Sequence, residues 1–192
     1  LRDLPERLLH ANIIIVTKCP PYMENWEKIE WAKSLEISNY SIETCQGTTK
    51  DGKKMTVLFT AIRYCPLEPV FEDEDKRYIY SHNLILVSGI ASDTPLKRYL
   101  SDTYSIVKHF KFNDHHKYTA LDIRRIARAT VKWPTALIAT TEKDSQRLRS
   151  YRKMPETLQK RMFQTPIEVH FLSEHEKDIF EKTLLDALAN FS

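Results

Sequence analysis

The run Asn12-Ile13-Ile14-Ile15-Val16-Thr17 is apolar and β-branched almost without interruption. That is the pattern of a strand buried on both faces of a parallel sheet. Pro20 and Pro21 stop it, and Asn25 to Leu35, with Trp26, Ile29 and Lys33 at helical spacing, predicts a helix. Residues 37–54 are polar and end in Lys50-Asp51-Gly52-Lys53, an Asp-Gly hairpin signal before the long strand Met55 to Tyr64. That strand alternates, with Val57, Phe59 and Ala61 on one face and Thr56, Leu58 and Thr60 on the other.

Pro66, Pro69 and the acidic run Glu72-Asp73-Glu74-Asp75 form a loop that marks a boundary before a more regular stretch. Beyond it the pattern predicts strand Leu84 to Ser88, a turn at Gly89, helix Pro95 to Ser101 and strand Tyr104 to Phe110. Helix Thr119 to Thr130, strand Thr135 to Thr140, helix Lys143 to Tyr151, strand Pro166 to Leu172 and helix Glu174 to Asn190 follow. Strands alternating with helices of this length make βαβ units and an α/β protein with a mostly parallel sheet. No internal repeat or low-complexity tract interrupts the alternation.

Composition narrows the class. A chain of 192 residues, 42% hydrophobic, can bury a real core. A formal charge of +3, from 29 Lys and Arg against 26 Asp and Glu, is too mild to argue for nucleic acid. Cys19, Cys45 and Cys65 are odd in number and widely spaced, so they suggest a reducing compartment and no structural zinc. No apolar run approaches the ~20 residues of a membrane span, and Arg2 to Arg7 lacks the apolar core of a signal peptide. The expectation is a chain that neither crosses a membrane nor is exported. Its start at Leu1, in a loop entering a strand, suggests a cut from something longer.

Candidate chemistry gathers where predicted strands give way to helices, the ends at which α/β sheets bind ligands. Asp114-His115-His116, within Phe112 to Thr119, is the sharpest cluster, because a carboxylate beside a histidine can orient it and keep it basic near neutral pH. His109 adds an imidazole at the end of the preceding strand. The plainer reading is that Asp114 or Thr119 caps the next helix and the histidines are solvated. Thr140-Thr141-Glu142-Lys143-Asp144 has hydroxyls and acids that suit either a helix cap or a ligand. Arg124 and Arg128 share a helical face, and Arg147, Arg149, Arg152 and Lys153 crowd the next helix. Such cations can meet anionic headgroups at about 1 kcal/mol each, although a solvated face is the usual explanation of a charge run.

Gly47-Thr48-Thr49-Lys50-Asp51-Gly52-Lys53-Lys54 approaches a phosphate loop, but Lys54 replaces the magnesium-binding hydroxyl and a strand rather than a helix follows. An ordinary hairpin loop explains it better. The triplet Asp-His-His also occurs in metal-dependent phosphoesterases, but those need further ligands at loop ends. Upstream the chain offers only the acidic run at Glu72 to Asp75.

Taken in order, Arg2-Asp3, the strand at Ile13 to Lys18, Asp114-His115, Thr-Thr-Glu-Lys-Asp at 140–144 and the strand from Thr165 to Val169 resemble the rear half of the tetraacyldisaccharide 4'-kinases, which phosphorylate a lipid A precursor. The resemblance implies a P-loop-kinase-like, three-layer αβα fold in which two lobes are joined by a two-stranded linker, with the front lobe and its phosphate loop absent here. Residues 1–54 would be a remnant of the first lobe. Residues 55–192 would form the second, with linker strands 55–64 and 166–172, while the last helix could also belong to the first lobe.

By the same resemblance, His115, paired with Asp114, assists an aspartate of the missing half that activates the sugar hydroxyl. Arg2 and Asp3 border the active site in substrate or metal positioning, Asp here standing for the commoner Glu and shortening the acid's reach. Arg124 and Arg128 are candidate anion contacts, and Thr141, Glu142, Lys143 and Asp144 form the family's marker loop. The full enzyme would use ATP and Mg2+, with no metal site and no tightly bound cofactor expected in this portion, which would be inactive alone and would expose apolar surface. Its partners would be the lipid A disaccharide precursor, the missing amino-terminal lobe and an anionic membrane surface, at the cytoplasmic face of a Gram-negative inner membrane. The competing expectation is a non-catalytic α/β module whose basic helices bind an anionic partner.

Overall fold

A computed structural model describes residues 11–189 of the chain. In order, the elements are β1 (Ile13–Cys19), α1 (Asn25–Ser34), β2 (Ser38–Ser41), β3 (Gln46–Thr48), β4 (Lys54–Tyr64), β5 (Glu68–Pro69) and β6 (Asn83–Ser88). They continue with α2 (Thr94–Ser101), β7 (Ser105–Lys111), α3 (Ala120–Lys132), β8 (Leu137–Thr141) and α4 (Glu142–Arg149). The short α5 (Glu156–Gln159), β9 (Met162–Thr165), β10 (Ile167–Phe171) and α6 (Glu174–Ala189) complete the chain. The described residues fall into two compact units, one running up to Arg63 and resuming at Glu168, the other spanning Tyr64–Ile167.

The first unit is built on a mixed sheet in the order β1-β4-β3-β2, with β10 also paired to β4. β1 runs parallel to β4, Ile14 opposite Val57 and Val16 opposite Phe59. Both faces of the alternating β4 are covered, and every residue from Met55 to Ala61 is buried. Val57 and Phe59 pack with Ile14, Ile37 and Met55, and β4 has neighbours along both edges. The Asp-Gly signal is a true hairpin, in which Gly52 takes φ +83° and the Thr49 N–H donates to the Lys53 carbonyl at 2.9 Å. A buried ion pair ties α1 to α6, Lys28 Nζ lying 2.5 Å from Glu176 Oε1, and Glu176 also accepts the Phe59 N–H at 3.4 Å. The predicted strand from Pro166 to Leu172 is β10, Ile167–Phe171; a separate strand that the pattern does not predict, β9, ends just before Pro166 and pairs in the other sheet. Proline has no N–H to continue a ladder.

The second unit carries the sheet β5-β9-β8-β6-β7, parallel from β9 through β7 and antiparallel only at the two-residue β5. Its apolar strands are covered twice. Leu84, Leu86, Leu137 and Ala139 pack with Leu96 and Leu100 of α2. Ile85, Val87 and Ile138, pointing the other way, pack with Ile123 and Ile126 of α3 and Leu148 of α4. Burying each such aliphatic side chain stabilises by about 1.5–3 kcal/mol, which is why strands with no polar alternation take the central positions. α3 starts where Thr119 and Asp122 cap each other's backbone N–H groups, so Thr119, not Asp114, is the cap. Thr141 caps α4 through the Asp144 N–H.

Candidate functional site

The site grows from the carboxyl ends of β6, β7 and β8 in the second unit. Gly89 directly follows β6, and its backbone N–H donates to Asp144 Oδ2 at 2.8 Å. A Cβ placed there would lie 2.9 Å from Asp144 Oδ1 and 3.4 Å from the Asn113 carbonyl, so the close approach requires glycine. Asp144 is fully buried and also accepts from the Thr141 hydroxyl at 2.8 Å and from Arg147 Nη1 at 3.1 Å. A carboxylate so placed, with a backbone N–H, a hydroxyl and a guanidinium on its two oxygens, is a clamp rather than a reagent.

The rest of the Thr-Thr-Glu-Lys-Asp segment also ties pieces together. Glu142 Oε2 accepts the Ile167 N–H at 3.0 Å. Lys143 Nζ reaches back to Asp114 Oδ1 at 2.9 Å. Its ammonium, first of all, with the His115 N–H and the His115 ring, holds the exposed Asp114 carboxyl below the usual carboxylate range. A motif singled out for possible ligand contact is therefore what fastens β6, β8 and the Asp114 loop to one another.

His115 follows with φ +62°, the left-handed region, which a bulky residue seldom occupies and which clusters at functional sites. Its backbone N–H donates to Asp114 Oδ1 at 2.9 Å. The ring is 75% exposed, with Nε2 3.6 Å from Asp114 Oδ2 and Nδ1 3.2 Å from Arg147 Nη2. Asp114, His115, Lys143 and Arg147 are thus brought into one cluster, open to solvent on the His115 side.

The neighbouring histidines do other work. His116 stacks on Phe112, ring centroids 4.4 Å apart, and its Nε2 lies 3.0 Å from Asp122 Oδ2, so it braces the start of α3. His109 faces Ser88 and Asp93, at 2.9 Å and 3.1 Å from Nε2, rather than the His115 ring. Burial pushes the His109 imidazole below its ordinary value even with the Asp93 carboxylate opposing. Burial raises the Asp93 carboxyl, but hydrogen bonds from Lys111 and Ser88 and the His109 charge outweigh it, leaving that group low.

Arg124 and Arg128 lie on the exposed face of α3; Arg124 Nε donates to the Ala120 carbonyl at 3.3 Å, and neither side chain joins the hydrogen bonds around His115. Arg2 and Asp3 lie outside the described residues. The sequence pattern places Arg147 within a solvated charge run and Gly89 in a turn, neither of them at the site. The signals were there: Arg147 stands three residues after Asp144 on a helix, and Gly89 directly follows a buried strand.

The near-match to a phosphate loop is the β3–β4 hairpin. Gly47 pairs with Met55, and a Cβ on Gly47 would collide with Ile37 and the Ser38 carbonyl, so its backbone is closed to phosphate. Among the described residues no group of three or more His, Cys, Asp or Glu is placed to hold a metal ion. Likewise, no described helix is long and apolar enough to cross a membrane.

With that geometry in hand, the chain can be set beside known proteins. The family model described as tetraacyldisaccharide-1-P 4'-kinase matches residues 1–189. A tetraacyldisaccharide 4'-kinase of Phocaeicola vulgatus is 33% identical over 178 residues, which is 92% of this chain and 46% of that protein. Its counterpart in Bacteroides thetaiotaomicron is 27% identical over 198 residues, 96% of this chain and 48% of that protein. The chain spans about half the length of the curated relatives it matches. Among solved structures, an "apo" form of LpxK from Aquifex aeolicus in complex with ATP aligns with a TM-score of 0.50 at 14% identity, covering 95% of this chain and 45% of that one. At that identity the likeness speaks for the fold alone.

Proposed function

The chain belongs to the tetraacyldisaccharide 4'-kinase family, and from that membership we propose that it is the carboxyl-terminal part of an ATP-dependent kinase acting in lipid A biosynthesis. The reaction is transfer of the γ-phosphoryl group to the 4' hydroxyl of tetraacyldisaccharide 1-phosphate. The observation that carries the reading is the Asp114–His115 pair, strained on its loop at the end of β7 and cross-tied by Lys143 and Arg147 to the helix that opens the Thr-Thr-Glu-Lys-Asp segment. Phosphoryl transfer asks of a protein mainly positioning and placed charge, and a histidine oriented by Arg147, with Lys143 on the neighbouring Asp114, answers that need.

In this reading the fold is of the P-loop-kinase type, with β4 and β10 as the two-stranded link between lobes. ATP phosphates and Mg2+ are held by an amino-terminal phosphate-loop lobe, which the closed hairpin around Gly47 supports. The present chain is inactive without that lobe. His115 works on the sugar side of the transfer, with Asp114 beside it; Arg2 and Asp3 position substrate or metal, and Arg124 and Arg128 on α3 are anion contacts. Ile15, Val169, Leu184 and Leu185 are exposed in the first unit and are apolar surface available to the other lobe. The enzyme works at the cytoplasmic face of a Gram-negative inner membrane, where its lipid substrate and the anionic headgroups lie.

The test is transfer of labelled γ-phosphate from ATP to tetraacyldisaccharide 1-phosphate, by this chain and by the full reading frame that encodes it. Product from the full frame and none from the chain alone is expected. Absence of product from both, with salt-sensitive binding of the chain to anionic vesicles, would replace the kinase with a binding module.

A further inference from the structure

Arginine carries five N–H donors and no acceptor. With Arg147 Nη2 3.2 Å from His115 Nδ1, that ring nitrogen must present its lone pair, and a neutral ring then carries its proton on Nε2. The guanidinium is itself fastened from below: Nη1 donates to Asp144 Oδ1 at 3.1 Å and approaches the Gly89 carbonyl at 3.5 Å. Asp144 is fully buried and locked by Gly89 and Thr141. The Arg147 side chain is 22% exposed, whereas that of His115 is 75% exposed. Among the described residues, Arg147 and Asp114 are what the His115 ring nitrogens meet.

We propose that Arg147 is a positioning residue that fixes the tautomer of His115, holding the ring as a hydrogen-bond donor through Nε2–H on the side of Asp114. The arrangement is the reverse of a histidine that donates Nδ1–H to an orienting carboxylate and offers an Nε2 lone pair as base. Here the orienting group is itself a donor, so the exposed nitrogen carries the proton. The inference rests on the kinase reading for its functional meaning, and it sharpens that reading: His115 gives a hydrogen bond to an oxygen, from a carboxylate, the sugar or the moving phosphoryl group, and does not take the hydroxyl proton.

The experiment is 15N NMR of the chain with labelled histidine at a pH where His115 is neutral, on the wild type and on Arg147→Met and Arg147→Lys. In the wild type Nδ1 of His115 is expected to be unprotonated and Nε2 protonated. Arg147→Met shifts both signals toward a mixture of tautomers, and Arg147→Lys, which keeps a cationic donor, restores them in part. His116, whose ring is held by Asp122 and Phe112, is the internal control and stays put. A proton on Nδ1 in the wild type would overturn the proposal whether or not the variants fold. Unchanged His115 signals in a folded Arg147→Met would do so as well. The measurement needs no turnover, so the tautomer lock and the kinase reading can fail separately.

Discussion

Replacing Asp144 by Ala should cost the second unit more than any other single change at the site. The buried carboxylate neutralises Arg147 and accepts the Gly89 N–H at 2.8 Å and the Thr141 hydroxyl at 2.8 Å. Without it, a guanidinium that is only 22% exposed loses its counter-charge and a buried N–H loses its acceptor. Removing one member of a buried pair destabilises by about 3–5 kcal/mol, and the orphaned N–H, worth about 1–3 kcal/mol on its own, falls within that figure rather than adding to it. The helix cap survives, because Thr141 accepts from the backbone N–H of residue 144. Urea unfolding followed through Trp133, which packs against the core of the second unit, reads the loss once Trp26 and Trp31 of the first unit are changed to Phe. A midpoint shift worth under about 1 kcal/mol at unchanged m would refute the clamp.

Other expectations follow from the same contacts. Gly89→Ala places a Cβ 2.9 Å from Asp144 Oδ1 and should destabilise by about 1–3 kcal/mol in the same assay; a neutral result would mean the carboxylate moves freely. Lys143→Met should raise the Asp114 carboxyl toward the ordinary value, seen by carboxyl 13C titration. Because that group is depressed in the folded state, its contribution to stability is present above the unfolded value of about 3.9 and is lost as pH falls through the folded one; an unmoved titration would remove Lys143 as the cause. In the first unit, Glu176→Ala should cost about 3–5 kcal/mol by stranding the buried Lys28, while the double change Lys28→Met with Glu176→Leu should recover most of it. Failure of the double variant to recover would show that the pair holds α1 to α6 by more than mutual compensation.

The second unit was the more legible half of the sequence. Strands such as Leu84 to Ser88 have no polar alternation, and β6, β7 and β8 lie within a residue or two of their predicted bounds because helices cover both faces of the sheet, whereas β9 falls where no strand is predicted. β2 and β3 were hidden inside a polar stretch: β2 is a four-residue strand at the edge of its sheet, which needs little apolar character, and β3 has only three residues, too few to show a period. α5, four residues long, offers no period to detect. At the site, Asp114 and His115 stood out by residue type, and the structure brings them together with Lys143. Arg147 did not stand out, because its meaning lies in contacts to Gly89 and His115, far away in sequence. The division of work among three histidines was equally invisible, as it depends on which carboxylate each ring meets.

The most direct test of the central claim is the turnover of the full reading frame on tetraacyldisaccharide 1-phosphate with ATP, wild type against His115→Ala, with circular dichroism confirming the fold of both. A fall in kcat of at least about 100-fold, the lower range for loss of one positioned hydrogen-bond donor, with little change in spectrum is the predicted result. An unchanged kcat would remove His115 from the mechanism and, with it, the assignment of this loop to phosphoryl transfer.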